Sequence, residues 1–160
     1  VTNDILDLAA RLGRALEAKR LVLATAESCT GGGVAQAVTE IAGSTGWFEC
    51  GFVTYSNASK AEMLDVSPAL IAQFGSVSEE VAAAMAEGAL ANSAADVTVS
   101  TTGIAGPSGA VPGKPVGTVC FGWAKGEVTL TERRVFSGDR KEVREQTVAH
   151  ALQGLLRFVE

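Results

Sequence analysis

An α/β fold, with a mixed sheet of about five strands and helices on both faces, is predicted by three features of this sequence. Helix-type and strand-type segments follow one another in the order αβαβααβββα. The first strands are separated by helices, whereas the last two flank a tight corner and pair antiparallel. The chain has 160 residues, 47% hydrophobic and 19% charged, which is the length and composition of one globular domain rather than two.

Ile5, Leu8, Ala9, Leu12 and Leu16 recur at helical spacing behind Thr2 or Asn3 as cap, predicting an amphipathic helix to about Lys19. Leu21 to Ala26 is a short apolar strand, the run from Glu27 to Gly33 turns the chain, and Val34 to Ile41 is a helix. Phe48 to Tyr55 returns to strand character. Ser56, Asn57 and Ser59 then start a short helix through Leu64, and Pro68 breaks the chain before a segment at Ala69 to Phe74. Ser78 caps a helix carrying Val81, Met85 and Ala89 and ending near Asn92. Strands follow at Val97 to Thr101, Val116 to Trp123 and Val128 to Phe136, with the corner at Lys125-Gly126-Glu127. The last helix starts near Asp139 and places Val148, Leu152, Leu155 and Val159 on one face.

Charge and cysteine use narrow the function. Thirteen Lys+Arg against 18 Asp+Glu leave a net charge of -5, the wrong sign for binding nucleic acid or an anionic membrane. An anionic ligand must therefore find a locally positive pocket. Cys29, Cys50 and Cys120 are odd in number and widely spaced, which disfavours a disulfide framework or zinc site and fits a reducing, cytoplasmic setting. Charges interrupt the first 20 residues, so neither export nor membrane insertion is expected.

The only histidine, His150, faces away from the apolar stripe of its helix and reads as an exposed side chain, which leaves a Ser-His-Asp site without a base. A Walker A reading of Gly113-Lys114 fails at Ser108 and Pro115. Residues 101–117 hold five of the 18 glycines and three of the four prolines, a long patternless stretch of the kind that carries function.

Ser28 stands where a strand hands over to a glycine corner and a helix N-terminus. There its hydroxyl is either a nucleophile among free N–H donors or, like that of Thr30, a helix cap. Cys29 is the rival nucleophile, with a buried structural thiol as its plain alternative. Lys60 lies in the first turn of a helix, where the macrodipole disfavours its charge. Burial or a second cation would complete the shift to a neutral base. Tyr55, the only tyrosine, precedes it at a strand end and is placed to share the same cleft. A solvated lysine and a core tyrosine are the structural alternatives.

Six segments taken together resemble one family. They are Ala26 to Gly32, Phe52 to Asn57 followed by Lys60, Val77 to Glu80, Thr102 to Pro107, Lys114 to Val119 and Phe136 to Arg140. In order and along nearly the whole chain they are similar to the CinA C-terminal domain, the nicotinamide-nucleotide amidohydrolase (PncC) family, in its stand-alone form. The resemblance implies a single domain over residues 1–160 and a three-layer α/β/α fold with a mostly parallel sheet. It implies a homo-oligomer that hydrolyses the carboxamide of nicotinamide mononucleotide in pyridine nucleotide recycling. Ser28 would be the nucleophile and Lys60 with Tyr55 its activating partners, with no metal or organic cofactor.

Around the substrate we expect Thr30, Gly31 and Gly32 of the first corner, Thr102, Gly103, Gly106 and Gly109 of the long loop, and Arg140, with Lys114 nearby. The family often has Gly-Gly where this chain has Gly109-Ala110. The reading from another class is a non-catalytic nucleotide-binding or assembly module of the same fold.

Overall fold

Thr2 settles the choice of first cap: its side chain accepts the Ile5 N–H at 3.3 Å. Helix α1 then runs Asn3–Lys19 and ends where Arg20 turns left-handed at φ 55°. The computed structural model describes all 160 residues. Strands β1 (Leu23–Glu27), β2 (Phe48–Val53), β3 (Val97–Gly103), β4 (Thr118–Lys125) and β5 (Val128–Val135) form one sheet in the order β2-β1-β3-β4-β5. β1 pairs parallel with β2 and β3, while β4 is antiparallel to both of its neighbours. Four strands therefore share one direction and only β4 opposes them, the mixed, mostly parallel sheet that the sequence predicts.

Helices α1, α2 (Gly33–Thr39) and α6 (Arg140–Val159) cover one face, over a core including Leu12, Leu16, Leu23, Val38, Phe121, Trp123 and Leu152. On the other face α3 (Asn57–Leu64), α4 (Pro68–Phe74) and α5 (Glu79–Ala91) enclose a smaller core of Ala26, Leu64, Ile71, Val81 and Met85. The second face also uses polar joints. Thr98 and Ser100 of β3 donate their hydroxyl protons to the α5 carbonyls of Ala86 and Ala82 at 2.7 and 2.5 Å. From β1 the chain leaves to one side for β2 and returns on the other as β3, so the C-terminal ends of β1 and β3 frame a crevice of the kind where α/β proteins bind ligands. No helix is long and apolar enough to cross a membrane.

Two expectations are corrected. Pro68 does not merely break the chain but opens α4, with Ser67 accepting the Leu70 N–H. A proline at the first helical position loses an N–H that would have been unbonded anyway. His150 is not exposed: only 8% of it reaches solvent, its ring centroid lies 4.7 Å from that of Phe121, and Nε2 meets Glu132 Oε1 at 2.6 Å. α6 packs against the sheet, α1 and α2 together, so its buried arc is wider than the single apolar stripe.

Burial pushes the Glu132 carboxyl up, but the His150 hydrogen bond and charge, aided by Arg134, bring it below its ordinary value. A depressed carboxyl stabilises the fold above its unfolded pKa, and that contribution is lost as pH falls through the folded value. Glu132→Gln is accordingly expected to flatten the acid limb of a plot of melting temperature against pH. An unchanged limb would show that the pair contributes nothing.

Candidate active site

Strand alternation sends neighbouring residues at the end of β1 to opposite faces of the sheet. Leu23 and Glu27 face the α1–α2 side, whereas Ala26 and Ser28 face α3 and α5. Glu27 is 1% exposed, and its carboxylate takes the N–H groups of Val34 and Ala35 at 2.8 and 3.0 Å. It also accepts the Thr30 hydroxyl at 2.5 Å. Glu27 thus does the capping expected of Ser28 or Thr30. The turn between is left-handed at Gly31 (φ 58°) and Gly32 (φ 101°), a conformation that a side chain disfavours.

Ser28 projects from this turn toward Lys60, whose Nζ lies 3.1 Å from Ser28 Oγ. Ser56 caps α3 and so sets Lys60 in its first turn. The lysine is 1% exposed, and its other partners are the Thr54 and Tyr55 carbonyl oxygens at 3.0 and 3.2 Å. No carboxylate bonds it. Burial lowers its pKa, a shift that the neighbouring Cys29 only partly opposes. A neutral amine keeps two protons and one lone pair. The two carbonyls can only accept, so they take the protons and leave the lone pair to the Ser28 hydroxyl.

Tyr55 differs from expectation. It is 63% exposed, and its hydroxyl accepts from Arg140 Nη2 at 3.2 Å, so it touches the pair through its backbone carbonyl alone. The hydroxyl stays at the rim because strand β2 ends at Val53 and the chain turns into α3, aiming the ring outward. Cys29 is buried beside Ser28. Desolvation and the Glu27 charge push its thiol up to about 12, which leaves the sulfur protonated at neutral pH.

A cavity of about 380 Å³ has Cys29, Tyr55, Gly103, Gly106, Gly109 and Arg140 in its wall, so it reaches the chain neighbour of Ser28, while Ser28 and Lys60 themselves lie behind that wall. Thr30, Gly31, Gly32 and Thr102 do not line it. The Thr30 hydroxyl is held by Glu27, and that of Thr102 donates to the Ser76 carbonyl at 2.7 Å. The long loop is fastened at its base by Ile104, which exchanges backbone hydrogen bonds with Thr118 and Gly117. Farther out, Lys114 Nζ donates to the Phe74 carbonyl at 2.7 Å. Gly106 and Gly109 have φ of 84° and 104°, but Ala110 is not left-handed, so its departure from Gly-Gly strains nothing. The N–H groups of Gly106, Ser108 and Gly109 meet no acceptor within the chain, and neither do those of Cys29 and Thr30.

Arg140 spans the cavity mouth by donating to the Gly106 carbonyl at 2.8 Å as well as to Tyr55. Arg144, one turn on, donates to the carbonyls of Cys29 and Thr30 at 3.1 and 3.3 Å. Sequence reasoning missed Arg144 and the capping role of Glu27. Spacing offered a signal for the first, four residues after Arg140 on one helix face. For the second the signal was a lone acid closing an otherwise uncharged strand. No group of three His, Cys, Asp or Glu side chains is placed to hold a metal.

Fold and site together define a three-layer α/β protein with a buried serine–lysine pair at a strand-to-helix corner. The chain belongs to the CinA C-terminal domain family, whose profile matches residues 5–159. It is 52% identical over 156 residues to the nicotinamide-nucleotide amidohydrolase PncC of Pseudomonas putida, covering 98% of each chain. Against the protein of the same name from Escherichia coli K12 the identity is 52% over 155 residues, 96% of this chain and 93% of that one. Among solved structures, the competence/damage inducible protein CihA from Agrobacterium tumefaciens superposes with a TM-score of 0.97 at 41% identity. That match covers 100% of this chain and 98% of the other.

Proposed function

We propose that this chain hydrolyses the carboxamide of nicotinamide mononucleotide to nicotinate mononucleotide and ammonia through an acyl-enzyme on Ser28. The observation that carries the reading is the Lys60 amine, buried without a carboxylate partner and 3.1 Å from the Ser28 hydroxyl. The names of the PncC relatives supply the substrate.

The Ser28 proton passes to neutral Lys60 as Oγ bonds to the carboxamide carbon, which the electron-withdrawing pyridinium ring makes electrophilic. The carbonyl oxygen takes the displaced electron pair, and the free N–H groups of Cys29 and Thr30 are its proposed donors. As the C–N bond breaks, Lys60 returns its proton to the nitrogen and ammonia leaves. Water, deprotonated by the same amine, then cleaves the ester and frees Ser28. Tyr55 contributes the carbonyl that orients Lys60, and its ring borders the entrance.

The helix α2 N-terminus is not the phosphate site in this reading, because Glu27 already fills it. The free N–H groups of Gly106, Ser108 and Gly109, with Arg140, are proposed to receive the 5'-phosphate, and Gly103 shapes the wall between the two ends. The proposed setting is pyridine nucleotide recycling in the cytoplasm by a homo-oligomer. The three free thiols fit a reducing compartment.

Incubation with nicotinamide mononucleotide is expected to yield ammonia and nicotinate mononucleotide in equal amounts. Cys29→Ala is expected to retain turnover, since the thiol takes no part. Binding of the nucleotide without ammonia release would replace this reading with a non-catalytic module, and a dead Cys29→Ala that still folds would move the nucleophile to sulfur.

A further inference from the structure

Glu27 is a carboxylate buried without a cation, an arrangement tolerated only when hydrogen bonds replace lost water. A serine cap would satisfy one helix donor without burying a charge, although the left-handed backbone of Gly32 at the cap position (φ 101°) disfavours a side chain there. The carboxylate does something that such a cap cannot. It accepts only, so the single Thr30 hydroxyl proton points to it, and Thr30 Oγ1 must in turn accept from Thr101 Oγ1 at 2.8 Å. The same Thr101 receives the Ser28 N–H on its backbone oxygen at 3.0 Å. Residues 28 and 30 are thereby both tied to one point on β3, on the face opposite Lys60.

We infer that Glu27 is a positioning residue: through Thr30 and Thr101 it locks the turn that aims Ser28 at Lys60. It touches none of the reacting atoms. The inference rests on the proposed amide hydrolysis at Ser28.

The test compares the unaltered chain with Thr30→Val, Thr30→Ser and Glu27→Gln. Thr30→Val keeps the side-chain shape and removes only the hydroxyl, so it reports even where Glu27→Gln fails to fold. The expected result is a fall in kcat on nicotinamide mononucleotide of up to about 100-fold for Thr30→Val. KM is expected to stay nearly unchanged, and Thr30→Ser to restore kcat. Ser28 labelling by an aryl sulfonyl fluoride should slow in parallel, although the fully labelled fraction stays the same.

A merely structural network would lower the melting temperature and the labelled fraction while kcat per labelled site held at the unaltered value. That outcome overturns the inference and leaves the reaction standing. Absence of ammonia release from the unaltered chain overturns the reaction itself and is seen before any substitution is made.

Discussion

Lys60→Arg is expected to abolish turnover of nicotinamide mononucleotide although it preserves the positive charge. Arginine stays protonated across the working pH range and offers five donors but no lone pair, so it cannot accept the Ser28 proton. The pocket is also built for one nitrogen among three oxygens, those of Thr54, Tyr55 and Ser28. Loss of such a base or nucleophile typically costs about 10⁴- to 10⁶-fold in kcat. Ser28→Ala is expected to reach the same floor, and the double variant no lower, because the two groups act in one step.

The pH profile carries the same argument. The proposed mechanism requires the neutral amine, so kcat/KM is expected to rise with pH through the Lys60 pKa. Burial sets that limb below the ordinary lysine value of about 10.4. The linked stability has the same sign. Between the folded and unfolded pKa the unfolded chain binds more protons at this residue, so its contribution to stability rises with pH there. Residual turnover in Lys60→Arg within tenfold of the parent, or a rate independent of pH below about 10, would remove Lys60 from the mechanism.

Gly88→Ala is the substitution for which helix propensity and packing give opposite answers. In a solvent-exposed helix it would gain roughly 1 kcal/mol. Here the Cβ would collide with the Leu64 carbonyl, a backbone atom that no side-chain rotation can move. Overpacking of this kind costs about 1–3 kcal/mol or more, so packing wins. At about 2–4 °C per kcal/mol, a melting point several degrees lower is expected. Leu64 closes α3 one turn after Lys60, so the displacement also reaches the amine, and kcat should fall with stability. A variant melting at or above the parent would refute the close approach of α3 and α5.

Where the sequence carried periodicity or local chemistry, the structure follows it. The apolar spacing of α1, the acid-rich start of α5 and the tight corner between β4 and β5 all lie close to where pattern places them. The Ser28–Lys60 pair was legible for a related reason: a glycine corner after a strand and a lysine in a first helical turn are local features with chemical meaning. What was not legible depended on distant partners. Glu27 was read as a turn residue and Thr30 as a cap or a substrate neighbour, because the α2 donors that need the Glu27 carboxylate lie beyond a glycine corner. His150 was read as solvated because the acid that receives it sits on β5 and the rings around it come from β4 and the segment after β5. Tyr55 does line the cavity, as its proximity in sequence suggested, but proximity fixes the backbone and not the direction of the ring, and the hydroxyl meets Arg140 rather than the pair.

The protonated sulfur beside Ser28 bears on how such an enzyme fares under oxidative stress. Hydrogen peroxide and mixed disulfides attack thiolates, and a thiol held at about 12 offers almost none at neutral pH. On the proposed mechanism, in which a hydroxyl performs the attack, the pocket holds a cysteine yet gives oxidants little to inactivate, so turnover is expected to persist where thiol-dependent enzymes are silenced.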